Sequence, residues 1–151
     1  MTDNKRIVSI LNDLIETCLD GEKGFRTCAQ DIGRPELKSL FQNRAQHCST
    51  AASELQQLVR QYGGDPETGT SVSGDLHRRW VDLKSLITGK DDTAILNECE
   101  RGEDVAKRSY QKALEKDLPA DVRSVVQRQY EGVLRNHDEV RALRDAARAN
   151  R

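Results

Sequence analysis

Aromatic side chains make up only 4% of this 151-residue chain, only three residues are proline, and neither sign of charge dominates. Each scarcity excludes something. A β-sandwich of this size would draw on aromatic and β-branched residues for its inner faces, so the composition argues for an all-α protein. The formal charge of −1, from 24 basic and 25 acidic residues, supplies no basic excess with which to hold nucleic acid or a membrane surface. No apolar run approaches the ~20 residues that cross a bilayer, and the first residues, MTDNKRIVSI, lack the apolar core of a signal peptide. A soluble, cytoplasmic protein with no nucleic-acid and no membrane partner is therefore expected. The four cysteines, Cys18, Cys28, Cys48 and Cys99, contain no CxxC pair, which removes the zinc ribbon and the thioredoxin-type redox motif. They are expected to stay thiols and to pack as small hydrophobes.

What the chain does have is 32% charged residues set against apolar positions that recur every three or four residues. Such a stripe runs from about Asn4 to Asp31 through Ile7, Leu11, Leu14, Cys18, Phe25 and Ala29. It should stop at Ile32-Gly33-Arg34-Pro35, since glycine suits a helix end and proline the first turn of the next helix. A second stripe, through Leu37, Leu40, Phe41, Cys48, Ala51, Leu55 and Leu58, stops at Tyr62-Gly63-Gly64-Asp65-Pro66. A third passes through Ile95, Leu96, Cys99, Ala106, Tyr110 and Leu114 to Asp117-Leu118-Pro119. The fourth passes through Val122, Val126, Tyr130, Val133, Val140 and Leu143. Between the pairs, GGDPETGTSVS has the composition of a loop, and a short helix over Leu76, Trp80, Leu83 and Leu86, capped by Ser73 or Asp75, should follow it.

Four helices of ~25 residues, each ~38 Å long, form a four-helix bundle of one domain: a hairpin over 4–62, a crossover over 63–91 and a hairpin over 92–147. Extended loop residues span ~3.3 Å each, so the crossover can run the whole length of the bundle, favouring an up-down-down-up order. The halves also repeat: Cys18-Leu19-Asp20-Gly21-Glu22 aligns with Cys99-Glu100-Arg101-Gly102-Glu103, and each second helix carries one histidine, His47 or His137.

By helical spacing Glu22, between Cys18 and Phe25, and Glu103, between Cys99 and Ala106, face the core. Antiparallel pairing sets Glu22 level with Arg44, His47 with Cys18, Glu103 with Val133 and His137 with Cys99. Three readings stay open. In one, Glu22 pairs with Arg44 and Glu103 bonds to His137 or the Tyr130 hydroxyl, a satisfied core network. In the second, Glu22, His47, Glu103 and His137 hold one divalent ion, either zinc, iron or manganese, with the Arg44 charge opposing it. In the third, which ranks lowest, the site is catalytic, against which stand the lack of a second metal and of an evident nucleophile with its base. His77 reads as solvated, and Trp80 as the anchor of the connector helix. The arginine-rich end RALRDAARANR suits a helix C-terminus, and ECERGED, with net charge −3, could meet it in a homo-oligomer.

Through LNDLIETCLDGEKGF, RAQH, NECERGED and NHDEVRALRD the chain resembles the ferritin-like family, and more closely an uncharacterised bacterial branch of it. In metal-binding members of that family the first helix of each hairpin supplies a glutamate and the second an E-x-x-H motif, which together hold two metal ions. Glu22 and Glu103 match the glutamates, and His47 and His137 the histidines. The carboxylates three residues before each histidine are replaced by Arg44 and Leu134. The resemblance thus implies a non-enzymatic bundle of stress-associated or structural kind with a degenerate metal site, the alternative being a protein that binds a single divalent ion.

Overall fold

A computed structural model describes residues 3–31, 34–68 and 92–149. These are helical, with no strand among the described residues: α1 (Asn4–Asp31), α2 (Pro35–Gln61), α3 (Asp92–Leu114) and α4 (Ala120–Ala149). Proline opens α2, after Arg34 in extended conformation, where its missing N–H costs nothing. The other end of α2 closes on Gly63, with φ of 78°. Gly63 N–H donates to Arg60 O and Gly64 N–H to Val59 O, both at 3.0 Å, which satisfies carbonyls the helix leaves open. Gly64 is also required sterically, since a Cβ there would lie 2.6 Å from a methyl of Val8 in α1. At the end of α3, Arg123 of α4 reaches back to donate to Leu114 O at 3.0 Å and Lys116 O at 2.6 Å.

α1 packs on α2 and on α3, and α4 on α3 and on α2, which leaves α1 diagonal to α4. Direction follows from the partners. Along α2 from Arg44 through Glu54 to Tyr62, the contacts on α4 fall from Glu139 through Arg128 to Asp121, so these helices are antiparallel. Leu11 and Leu14 of α1 share a cluster with Ala113 and Leu118, whereas Phe25 clusters with Leu96 and Cys99, so α1 and α3 are antiparallel too. The order is up, down, down, up. α2 and α3 therefore run the same way along the bundle. The expected connector helix, with His77 and Trp80, lies outside the described residues, as does the Ile32-Gly33 turn.

The buried side chains form two apolar lobes. One gathers Ile7, Leu11, Leu14, Ile15, Leu55, Val59, Tyr110, Val122 and Val126 from all four helices. The other surrounds Phe25 and Phe41, whose ring centres are 5.8 Å apart, with Leu37, Leu40, Leu96, Cys99 and Val140. Between the lobes lies a polar layer that includes buried Arg44, Glu103 and His137. Cys18 and Cys99 are buried and Cys48 half-buried, all three as free thiols, while the Cys28 side chain lies outside the described set.

Gly64→Ala is expected to destabilise the protein by ~1–3 kcal/mol, the cost of forcing a methyl group into an occupied site. Chemical denaturation checks this, and an unchanged midpoint would show that α1 yields to the methyl without cost.

Candidate functional site

The centre of the polar layer is Arg44. It replaces an apolar residue in the α2 stripe between Phe41 and Ala45 on one side and Cys48 on the other, so helical periodicity carries its guanidinium inward, where it is 3% exposed. Its Nε donates to Glu103 Oε1 of α3 at 3.1 Å, and its Nη2 to the Asn136 carbonyl of α4 at 3.4 Å. The same Nη2 lies 3.1 Å from Glu139 Oε2 at the surface. One side chain of α2 thus ties down two helices of the other hairpin.

Glu22 is not its partner, contrary to expectation. The axial level is as expected, but Arg44 points across the bundle, while Glu22 sits at the α1 margin with Oε2 3.8 Å from Arg26 one turn along. That distance is too long for a hydrogen bond, and Glu22 Oε2 is buried without one. Nor does Glu103 bond to His137 or Tyr130. Residues 115–119 run past the end of α3 before α4 begins, which displaces the register of this hairpin by about one turn from a reversal centred on Leu118. Buried His137 therefore meets Asp104, with Nε2 to Oδ1 at 2.8 Å, and Glu100, at 3.6 Å. Neither contact is a formed hydrogen bond. Tyr130 instead accepts from Gln111 Nε2 at 2.9 Å. His47 is exposed, because the inward position one turn after Arg44 is Cys48.

The four residues expected to hold one metal ion are thus dispersed: Glu22 at the α1 margin, His47 in solvent, Glu103 on a guanidinium, His137 on Asp104. Among the described residues no three His, Cys, Asp or Glu side chains are grouped to hold an ion. The residues three before His47 and His137 are Arg44 and Leu134, neither of them a carboxylate.

A second polar chain, which sequence reasoning missed, crosses the bundle about two turns away. Tyr110 O–H donates to Gln129 Oε1 at 2.8 Å, and Gln129 Nε2 donates to Glu54 Oε1 at 2.7 Å. The Tyr110 hydrogen being committed, the Cys18 thiol donates to the Tyr110 oxygen over 3.3 Å. Arg128 closes the chain on the other Glu54 oxygen. Every helix contributes. The signal available in the sequence was Gln129, which lies three residues after Val126 and four before Val133 and so continues the stripe as well as Tyr130 does.

Between the Arg44 and Gln129 clamps the helices enclose a cavity of about 410 Å³. Cys18, Phe25, Cys48, Ala106, Tyr110 and Val133 line its interior, and the exposed His47, Arg128 and Arg135 stand where it opens between α2 and α4. Burial pushes the Cys18 thiol up to about 11 and the Cys48 thiol higher still, with Glu103 and Glu22 adding to the latter shift. Both are protonated at neutral pH and are not nucleophiles. Burial also raises Glu103, from 4.5 to about 7, against the pull of Arg44 and with a further push from Glu139 and Asp104.

A domain family described as Domain of unknown function (DUF2383) matches residues 6–116, most of the chain. The chain belongs to this family. The DUF2383 match takes in α1, α2 and α3, hence Arg44, Glu103 and Tyr110, and ends before α4, which supplies Gln129 and His137. Among curated proteins none matches the chain. No helix of the described residues is long and apolar enough to cross a membrane.

Two measurements test this geometry. At pH 8, where Glu103 is ionised, Arg44→Met should cost ~3–5 kcal/mol by stranding buried charge, whereas Arg44→Met with Glu103→Leu should cost much less. A double replacement equal to the sum of the singles would show the two to be uncoupled. The second concerns pH. The folded carboxyl of Glu103 keeps its proton up to about 7 and the unfolded one loses it near 4.5, so the folded state holds the extra proton between these values and stability falls as pH rises through that window. The fall is up to about 3 kcal/mol at 1.36 kcal/mol per unit. Glu103→Gln should remove that slope, and parallel pH profiles for variant and wild type would refute the assignment.

Proposed function

We propose that this DUF2383 protein is a non-enzymatic bundle of ferritin-like type, with a structural or stress-associated role, in which a permanent organic cation has replaced the metal. The observation that carries this reading is Arg44: it stands three residues before His47, where the metal-binding pattern has a carboxylate, and its buried guanidinium takes Glu103 as its counter-ion. A guanidinium keeps its charge at any physiological pH, so it binds α3 and α4 to α2 without depending on metal supply. The order of the four helices and the matched CLDGE and CERGE segments, one in the first helix of each hairpin, support descent from such a two-hairpin metal protein. The absence of an ionisable nucleophile among the described thiols supports a role without turnover.

Metal titration of chelator-treated protein tests the reading. Adding ferrous iron, manganese or zinc at pH 7.5 should leave the melting temperature unchanged, and aerobic iron loading should consume no oxygen. A ligand held only by the native state would raise the melting temperature with occupancy, and imidazole ligands would weaken that rise below about pH 6. A metal-dependent rise that disappears in His137→Gln would replace this proposal with that of a mononuclear metal protein.

A further inference from the structure

The cavity between the two clamps is large for an accident of packing. At about 410 Å³ it falls within the ~300–1,000 Å³ range of small-molecule sites, and its interior is largely apolar. Three of its wall residues are glycines inside helices, Gly21 of α1, Gly102 of α3 and Gly132 of α4. Glycine weakens a helix relative to alanine, and is usually explained there by a close neighbour. For Gly21 there is one, Cys48 Sγ, 2.9 Å from where a Cβ would lie; for the other two there is none, since a Cβ on Gly102 would meet nothing within 4 Å and one on Gly132 only the end of Arg135 at 3.6 Å. What Gly102 and Gly132 provide is space.

The polar end of the cavity is defined by charge. Glu103, 6% exposed, forms part of the wall, and its Oε2 has no hydrogen-bond partner although Oε1 is held by Arg44. A buried acceptor without a donor is costly, and a donor brought by a ligand would relieve it. The sign of that donor follows from its neighbours. Arg44 is shared by two carboxylates, Glu103 and the surface Glu139, so its charge is not committed to Glu103 alone, while Glu54 at the far end is matched by Arg128. The rings of Phe25 and Tyr110 form part of the wall.

We propose that the mid-bundle cavity binds a small organic amine, its ammonium donating to Glu103 Oε2 and its apolar body lying against Phe25, Cys48, Ala106 and Val133. Entry is between α2 and α4, past His47 and Arg135, where Ala51 and Gly132 line the wall. The site is independent of whether the bundle once held metal.

Three probes of one shape and different charge test this: 2-phenylethylamine, 2-phenylethanol and phenylacetate, followed by thermal shift and ligand-detected NMR on the full chain at pH 8. The amine should raise the melting temperature with concentration, and the alcohol and the acid should not. Glu103→Gln should weaken the amine by about tenfold or more, the loss of a charge-assisted hydrogen bond, and so remove its advantage over the alcohol. Gly102→Leu, which fills the cavity with an isobutyl group, should abolish amine binding with the circular dichroism spectrum unchanged. Should that variant not fold, Gly132→Leu blocks the same space from the facing helix. Equal responses to all three probes, no response to the amine, or an amine response that survives in the folded leucine variant would each overturn the proposal.

Discussion

A buried guanidinium cannot be left alone, and this bundle is arranged around that requirement. Removing Arg44 from water is worthwhile only if its donors find acceptors. The acceptors come from the second hairpin: a carboxylate of α3, a backbone carbonyl of α4 and a surface carboxylate one turn on. Each hairpin is held mainly by its own apolar stripe, so the contacts between hairpins are fewer, and a directional tie there has more influence on their relative position than it would within a hairpin. Apolar stripes alone would allow the hairpins to slide by a turn at small cost. Arg44 makes such a slide expensive, because it would strand a buried charge.

The Gln129 chain has the same effect by neutral means. Glutamine donates and accepts at once, and here it accepts from Tyr110 while donating to Glu54, so that α3, α4 and α2 are joined through one amide, with α1 attached through the Cys18 thiol. Two polar layers separated by about two helical turns cannot both be packed with aliphatic side chains. The apolar core consequently divides into two lobes, and the space between them remains open. The cavity is thus a consequence of polar ties above and below it, enlarged by glycine on two of its walls.

Burial also decides what chemistry this centre can perform. The same low-dielectric surroundings that raise Glu103 towards neutrality hold the thiols of Cys18 and Cys48 protonated, and hold the Tyr110 phenol far above its usual range. The two thiols and the phenol of this centre thus stay neutral where one carboxylate titrates.

Helical periodicity was enough to read the four helices, their ends at Pro35 and Gly63, the antiparallel hairpins and the inward direction of Arg44 and Glu103, because inside and outside recur every 3.6 residues whatever the neighbours are. It also set Glu22 and Arg44 at one level along the axis. It could not tell which of its neighbours an inward side chain addresses. A residue on the core face of α2 can reach α1, α3 or α4, and only the packed bundle directs Arg44 to Glu103. The α3–α4 register was likewise beyond the pattern, since it depends on how residues 115–119 pass the end of α3 before the chain turns, and a displacement of about one turn carried His137 to Asp104 and Tyr110 to Gln129. Helix identity is decided by local spacing along one chain. Polar partnership is decided by rotation and slide between helices, which local spacing does not encode.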